Sequence, residues 1–80
     1  MKKYSREELE KIINILDSSD EYGMILRAKG MLEGTDGRWM YFDMVPGETE
    51  VRDGEPDVSG RFCVIGSELK EDKLAELFGI

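Results

Sequence analysis

The sequence of 80 residues contains no histidine and a single cysteine, Cys63. One cysteine excludes a disulfide within the chain and any CxxC redox or zinc motif, and the lack of histidine excludes His-based acid–base chemistry and His-ligated metals. We therefore predict no catalytic residue, no cofactor and no bound metal. Cys63 lies between Phe62 and Val64, and we expect it to pack as a small hydrophobic side chain.

Long apolar runs and phosphate-binding loops are also missing. No stretch approaches the ~20 apolar residues of a membrane span, and no run looks like a signal peptide. Together with the single cysteine, this predicts a cytoplasmic location and no membrane partner. The sequence has no Gly-Lys dipeptide, so it has no P-loop, and it contains neither GxGxxG nor GxSxG.

Acidic residues outnumber basic ones by 18 to 11, which gives a net charge of -7. A chain of this charge repels phosphate backbones, so nucleic acid is not expected as a partner. Two acidic clusters, in residues 17–21 and 53–57, lack the glycine at the sixth position of an EF-hand loop. We interpret both as solvated loops rather than calcium sites.

Two helices are predicted, one at each end of a single domain covering residues 1–80. Residues 5–17 carry apolar side chains at the spacing of an amphipathic helix, and Ser5 and Glu8 form a capping box. Residues 70–78 form a second, Leu-rich segment, which Gly79 is placed to end.

Four strands are predicted between the helices. They cover residues 22–33, 38–45, 49–52 and 61–65. The charged third segment is expected at a sheet edge, where charge discourages further pairing. Short turns between strands favour antiparallel pairing, so the predicted fold is α+β: a two-layer sandwich with a four-stranded, mainly antiparallel sheet, in the order α-β-β-β-β-α.

The dipeptide Asp36-Gly37 indicates a two-residue hairpin turn. Such a turn would pair Gly30 with Asp43 and Met31 with Phe42, which predicts the composition of the two sheet faces. The candidate interaction residues on the second face are Arg27, Lys29, Met40, Phe42 and Met44. They would form an adaptable docking surface if both helices covered the other face. In the alternative, each helix covers one face and Phe42 is a core residue.

Five segments in this order resemble the C-terminal domain of CobW-type P-loop GTPases, over residues 5–78. The segments are residues 21–30 (EYGMILRAKG), 39–43 (WMYFD), 45–47 (VPG), 51–56 (VRDGEP) and 60–66 (GRFCVIG). In that family a GTPase domain comes first, and the proteins are associated with cobalamin synthesis, zinc homeostasis and nitrile hydratase assembly.

The resemblance implies a non-catalytic accessory domain that docks on the P-loop GTPase domain of the same protein. It would relay the state of that domain to a metalloprotein client or to a second copy. The family's GTP-binding and metal-binding cysteine motifs belong to the preceding domain and match no position here. The alternative is a stand-alone module for protein interaction or homodimerisation.

Overall fold

The computed structural model describes residues 2–80, which form a helix, four strands and a second helix. The elements are α1 (Arg6–Ser18), β1 (Met24–Glu33), β2 (Trp39–Val45), β3 (Glu48–Gly54), β4 (Arg61–Ser67) and α2 (Glu71–Phe78). The predicted α+β order is confirmed. Neither helix in this part of the chain is long and apolar enough to cross a membrane.

All strand pairs are antiparallel, and the sheet order is β3-β2-β1-β4. Strands β1 to β3 follow one another as hairpins, whereas β4 returns beside β1, as in a Greek key. Residues 55–60 make this crossing from one edge of the sheet to the other. The predicted edge position of the third strand is confirmed.

The helix α1 begins where its capping box predicts. The Ser5 hydroxyl oxygen accepts a hydrogen bond from the backbone N–H of Glu8 at 3.0 Å, and such a cap contributes about 1 kcal/mol. The buried stripe of the helix consists of Leu9, Ile12, Ile13 and Leu16. Burying each of these side chains contributes roughly 1.5–3 kcal/mol, so packing stabilises α1 more than its cap does.

Tyr4 joins the N-terminus to the sheet and to α2, and its side chain is fully buried. Its backbone N–H donates to the Glu33 carbonyl oxygen at 3.0 Å, and its carbonyl oxygen accepts from the Thr35 N–H at 3.0 Å. Its hydroxyl donates to the Phe78 carbonyl oxygen at 2.6 Å. The elements predicted from the sequence do not include Tyr4, although Tyr4 and Leu9 occupy the two positions of a hydrophobic staple.

The hairpin between β1 and β2 has three loop residues, so the predicted two-residue turn is wrong. The Gly34 N–H donates to the Arg38 carbonyl oxygen at 2.7 Å, and the Gly37 N–H donates to the Gly34 carbonyl oxygen at 3.1 Å. Gly37 has a φ of 86°, the left-handed conformation that ends such three-residue loops. Gly30 therefore pairs with Phe42, one residue away from the predicted partner.

A bulge at Leu26 interrupts the alternation of β1. Ile25 pairs with Gly66 and Arg27 pairs with Ile65, which leaves Leu26 as the extra residue. Ile25 consequently joins Ala28 in the core, while Leu26 is 53% exposed. A regular alternation along the predicted strand 22–33 would instead have placed Leu26 on the same face as Ala28.

Both helices pack on the same face of the sheet. Leu74 and Phe78 of α2 belong to one core cluster with the buried stripe of α1 and with Phe42 of β2. The Phe78 ring stacks on the rings of Phe42 and Phe62, with centroid distances of 6.3 and 4.0 Å. The alternative in which each helix covers one face is therefore wrong, although its assignment of Phe42 to the core is correct. Neither α1 nor α2 covers the other face.

Candidate interaction face

The open face is the side of the sheet opposite the two helices. Its members are identified from the strand register. Along each strand they alternate with side chains that face the core. From β1 to β4 they are Arg27, Lys29, Met31, Glu33, Trp39, Tyr41, Asp43, Val45, Glu48, Glu50, Arg52, Gly54, Arg61, Cys63 and Ile65.

The five predicted interaction residues do not share this face. Arg27 and Lys29 are exposed on the open face, whereas the predicted apolar members are core residues: Met40, Phe42 and Met44 are 4%, 2% and 1% exposed. The placement is wrong because the hairpin loop holds three residues instead of two, and a shift of one residue turns every β2 side chain to the opposite face. An interaction role for Arg27 and Lys29 stays a prediction.

A shallow hollow of about 340 Å³ lies at the centre of the open face. Met31 and Tyr41 are paired across β1 and β2 in its middle. Arg52 pairs with Tyr41 from one edge strand, and Arg61 pairs with Met31 from the other. This central hollow therefore has an apolar and aromatic floor with an arginine on each side.

Two neighbours position the ring of Tyr41. A Cβ atom on Gly54 would overlap this ring, so the ring lies against the backbone at a position that only glycine leaves free. The Arg52 guanidinium lies 5.8 Å from the ring centroid, within the range of a cation–π interaction. From the sequence, Gly54 is predicted only as a loop residue, because its contact with Tyr41 depends on the pairing of β3 with β2.

The ion pairs of the open face are exposed and weak. Arg27 Nη2 lies 2.8 Å from Asp43 Oδ2, Arg52 Nη1 lies 3.1 Å from Glu50 Oε1, and Arg61 Nη2 lies 3.4 Å from Asp57 Oδ2. Exposed pairs of this kind contribute roughly 0–1 kcal/mol each, so their arginines can exchange partners.

The central hollow is locally positive in a chain of net charge -7. It is lined by three cations, Lys29, Arg52 and Arg61, and by one carboxylate, Asp43. Asp43 pairs with Arg27, Arg52 pairs with Glu50, and Arg61 pairs with Asp57. Among residues 2–80, Lys29 forms no ion pair. Because Lys29 is unpaired in this part of the chain and the pairs of Arg52 and Arg61 are exposed and weak, the hollow favours an anionic group.

Cys63 lies on this face beside Lys29 and is exposed, so the expectation that it packs as a small hydrophobic side chain is wrong. The reason is that β4 is an edge strand whose odd-numbered side chains, from Arg61 to Ile65, face away from the helices. In the described part of the chain, no group of three His, Cys, Asp or Glu side chains could hold a metal ion.

A second concavity, of about 530 Å³, lies between α1 and α2. Its apolar floor includes Ile12, Ile15 and Leu77. Its charged rim carries three acidic and two basic side chains: Glu8, Lys11, Glu21, Lys73 and Glu76. This mixed rim favours neither sign of charge in a partner, so the open face is the stronger candidate site.

Comparison with known proteins relates this fold to one family. The family described as "Cobalamin synthesis protein cobW C-terminal domain" matches residues 3–79. The chain is similar in fold to the Zn(II)-bound YjiA GTPase from E. coli, with a TM-score of 0.72 and 24% sequence identity over 98% of this chain and 26% of that one. A Zn(II)-bound triple mutant of YjiA GTPase gives a TM-score of 0.73 with the same identity and coverage.

The chain spans about a quarter of the length of these solved structures. Comparison with curated protein sequences gave no match. The family match extends through every helix and strand described above. On this basis the chain belongs to the family of cobalamin synthesis protein cobW C-terminal domains.

Proposed function

We propose that this chain is a non-catalytic accessory domain of a CobW-type GTPase and that its open face docks on the P-loop GTPase domain of the same protein. In this role it relays the nucleotide state of that domain to a client protein. The observation that carries the proposal is a sheet with both helices on one face and a concave, partly apolar surface on the other.

Exposed apolar side chains support a docking role for this part of the molecule. Leu26 and Ile65 are 53% and 51% exposed. Ile65 of β4 pairs with Arg27 of β1, and the bulged residue Leu26 directly precedes Arg27. A sheet face that combines apolar area with charged side chains is typical of a protein interface. Met31 adds an adaptable side chain at the centre of the face.

The wider role that we propose is metal handling, either in cobalamin synthesis or in the insertion of metal into a client. It is supported by the family description, which names cobalamin synthesis, and by the Zn(II) bound to the similar YjiA GTPase. We assign the metal and the nucleotide to the GTPase part of such a protein. A reducing, cytoplasmic compartment suits the single exposed thiol of Cys63.

The proposal can be tested by measuring the affinity of the purified chain for its P-loop GTPase domain in the GDP-bound and GTP-bound states. Tyr41→Ala removes the floor of the central hollow and should weaken binding at least about tenfold. Tyr22→Ala is the matched control, because Tyr22 is also half-buried but lines the concavity between the helices. Lack of binding in both nucleotide states would reject the docking role.

A second candidate function is homodimerisation through the edge strand β4. Residues 62–66 of this strand are uncharged, whereas the opposite edge strand β3 carries Glu48, Glu50, Arg52 and Asp53. An uncharged edge can pair with a second copy and extend the sheet. Sedimentation of the chain at high concentration distinguishes the two functions, since a monomer argues against the dimer.

A further inference from the structure

We infer that the partner segment seated on the open face is acidic, with its carboxylates bound by Arg52 and Arg61 and an apolar side chain in the central hollow. This inference rests on the proposed docking function. It adds the chemical character of the partner segment. The net charge of -7 would by itself suggest a basic partner, so the local charge of the open face leads to the opposite expectation.

The two arginines lie in one row across the sheet. The row runs from Arg52 through Tyr41 and Met31 to Arg61, one residue from each strand. Three strand spacings of about 4.8 Å place its ends roughly 14 Å apart, which an extended segment of about four residues can span. A segment that crosses the sheet at this row would meet a guanidinium at each end and apolar side chains between them.

Both arginines can exchange their present ion pairs for a partner's carboxylates. They pair with Glu50 and Asp57, and the side chains of Arg52 and Arg61 are 53% and 66% exposed. Little is lost when such a pair separates, whereas an arginine desolvated at an interface can form two parallel hydrogen bonds to a carboxylate. Lys29 adds a third cation at the same hollow.

The charge pattern favours a short acidic segment over a long polyanion. At physiological salt the screening length is about 8 Å, so a short segment experiences mainly the local positive field of the hollow. A nucleic acid would extend well beyond the hollow and meet the acidic remainder of the chain. A peptide segment with carboxylates and one apolar side chain therefore fits the surface better.

The test is a pair of charge-reversal variants with the same change in net charge. Arg52→Glu with Arg61→Glu alters the two ends of the row. Lys11→Glu with Lys73→Glu alters two exposed cations beside the concavity between the helices. The affinity of each double variant for the P-loop GTPase domain is measured at about 50 mM and about 500 mM salt. These concentrations lie below and above physiological salt, so the screening length is longer in the first measurement and shorter in the second.

We expect the open-face double variant to bind at least about tenfold more weakly than the unmodified chain at low salt, and the helix-side variant to bind within about twofold. High salt should weaken the binding of the unmodified chain and remove most of the difference in affinity between the two charge-reversal variants. The neutral variant Arg52→Gln with Arg61→Gln introduces no new repulsion. Its affinity should therefore lie between those of the unmodified chain and the charge-reversal variant. Circular dichroism confirms that each variant is folded before its affinity is compared.

Three results would overturn the inference, and they separate it from the docking function. If both open-face double variants bind as well as the unmodified chain while Tyr41→Ala weakens binding, the docking face stands and the acidic partner is wrong. If the helix-side variant loses as much affinity as the open-face variant, the arginine row has no specific role. If the unmodified chain does not bind the GTPase domain, the docking function fails as well.

Discussion

Gly30 lies directly opposite Phe42 in the sheet, and on its other side it pairs with Phe62. A Cβ atom on Gly30 would come within 2.6 Å of Phe62 Cβ and 2.8 Å of Phe42 Cε1. The missing side chain therefore leaves room for two phenylalanines in one row. Phe78 of α2 stacks on both rings, so this row is where the second helix is held on the sheet.

We expect Phe42→Ala to lower the free energy of unfolding by roughly 3–5 kcal/mol, because it removes a buried ring and leaves a cavity in the core. Phe42 is 2% exposed and contacts Phe78. Urea denaturation of the isolated chain measures the change. Tyr41→Ala, the neighbouring position on the open face, is the control and should cost clearly less. Equal losses in the two variants would contradict the assignment of the two faces.

Gly30→Ala should destabilise the chain by roughly 1–3 kcal/mol, the usual cost of overfilling a packed site. The added methyl group would also lie 2.7 Å from the Arg61 carbonyl oxygen, which the backbone of β4 holds in place. The adjacent substitution Lys29→Ala, at an exposed side chain, serves as the control in the same denaturation experiment. A Gly30→Ala variant as stable as the unmodified chain would show that the row has more space than the structure gives it.

Tyr4 should make stability decline at alkaline pH. Burial raises the pKa of its hydroxyl above the ordinary value of 10.0, and the Glu8 carboxylate adds to this effect. The unfolded chain therefore loses this proton at a lower pH than the folded chain. The stabilising contribution is fully present below pH 10.0 and is lost as the pH rises from that value through the folded-state pKa.

The variant Tyr4→Phe isolates this effect. At neutral pH it loses the hydrogen bond to the Phe78 carbonyl oxygen, at a cost of about 1 kcal/mol. Above pH 10 the difference between the variant and the unmodified chain should shrink, since only the latter loses the Tyr4 contribution. Thermal unfolding across this pH range measures the difference. A constant difference at every pH would contradict the raised pKa.

The isolated chain should neither bind nor hydrolyse GTP, because its sequence has no Gly-Lys dipeptide and hence no P-loop. Isothermal titration calorimetry with GTP and magnesium measures binding, and phosphate release measures hydrolysis. The P-loop GTPase domain under the same conditions is the positive control. Saturable binding of GTP at micromolar concentration would show that the chain has a nucleotide site of another kind.

The sequence by itself determined the elements whose signals are local. The capping box at Ser5 and the apolar stripe from Leu9 to Leu16 were enough to predict α1, and Gly79 correctly marked the end of α2. The charged third strand was correctly assigned to an edge. In each case, neighbouring residues in the chain carry both the signal and the structure.

Only the tertiary structure decided which side chains share the open face. The hydrogen bond between Gly34 and Arg38 closes a loop of three residues, and the bulge at Leu26 shifts one end of β1. Side chains alternate with a period of two along a strand, so each of these one-residue changes moves a set of residues to the other face. The pairing of β4 with β1 then places Arg61 in the same row across the sheet as Arg52. No local sequence pattern predicts this relation, because it depends on which strands are neighbours in space.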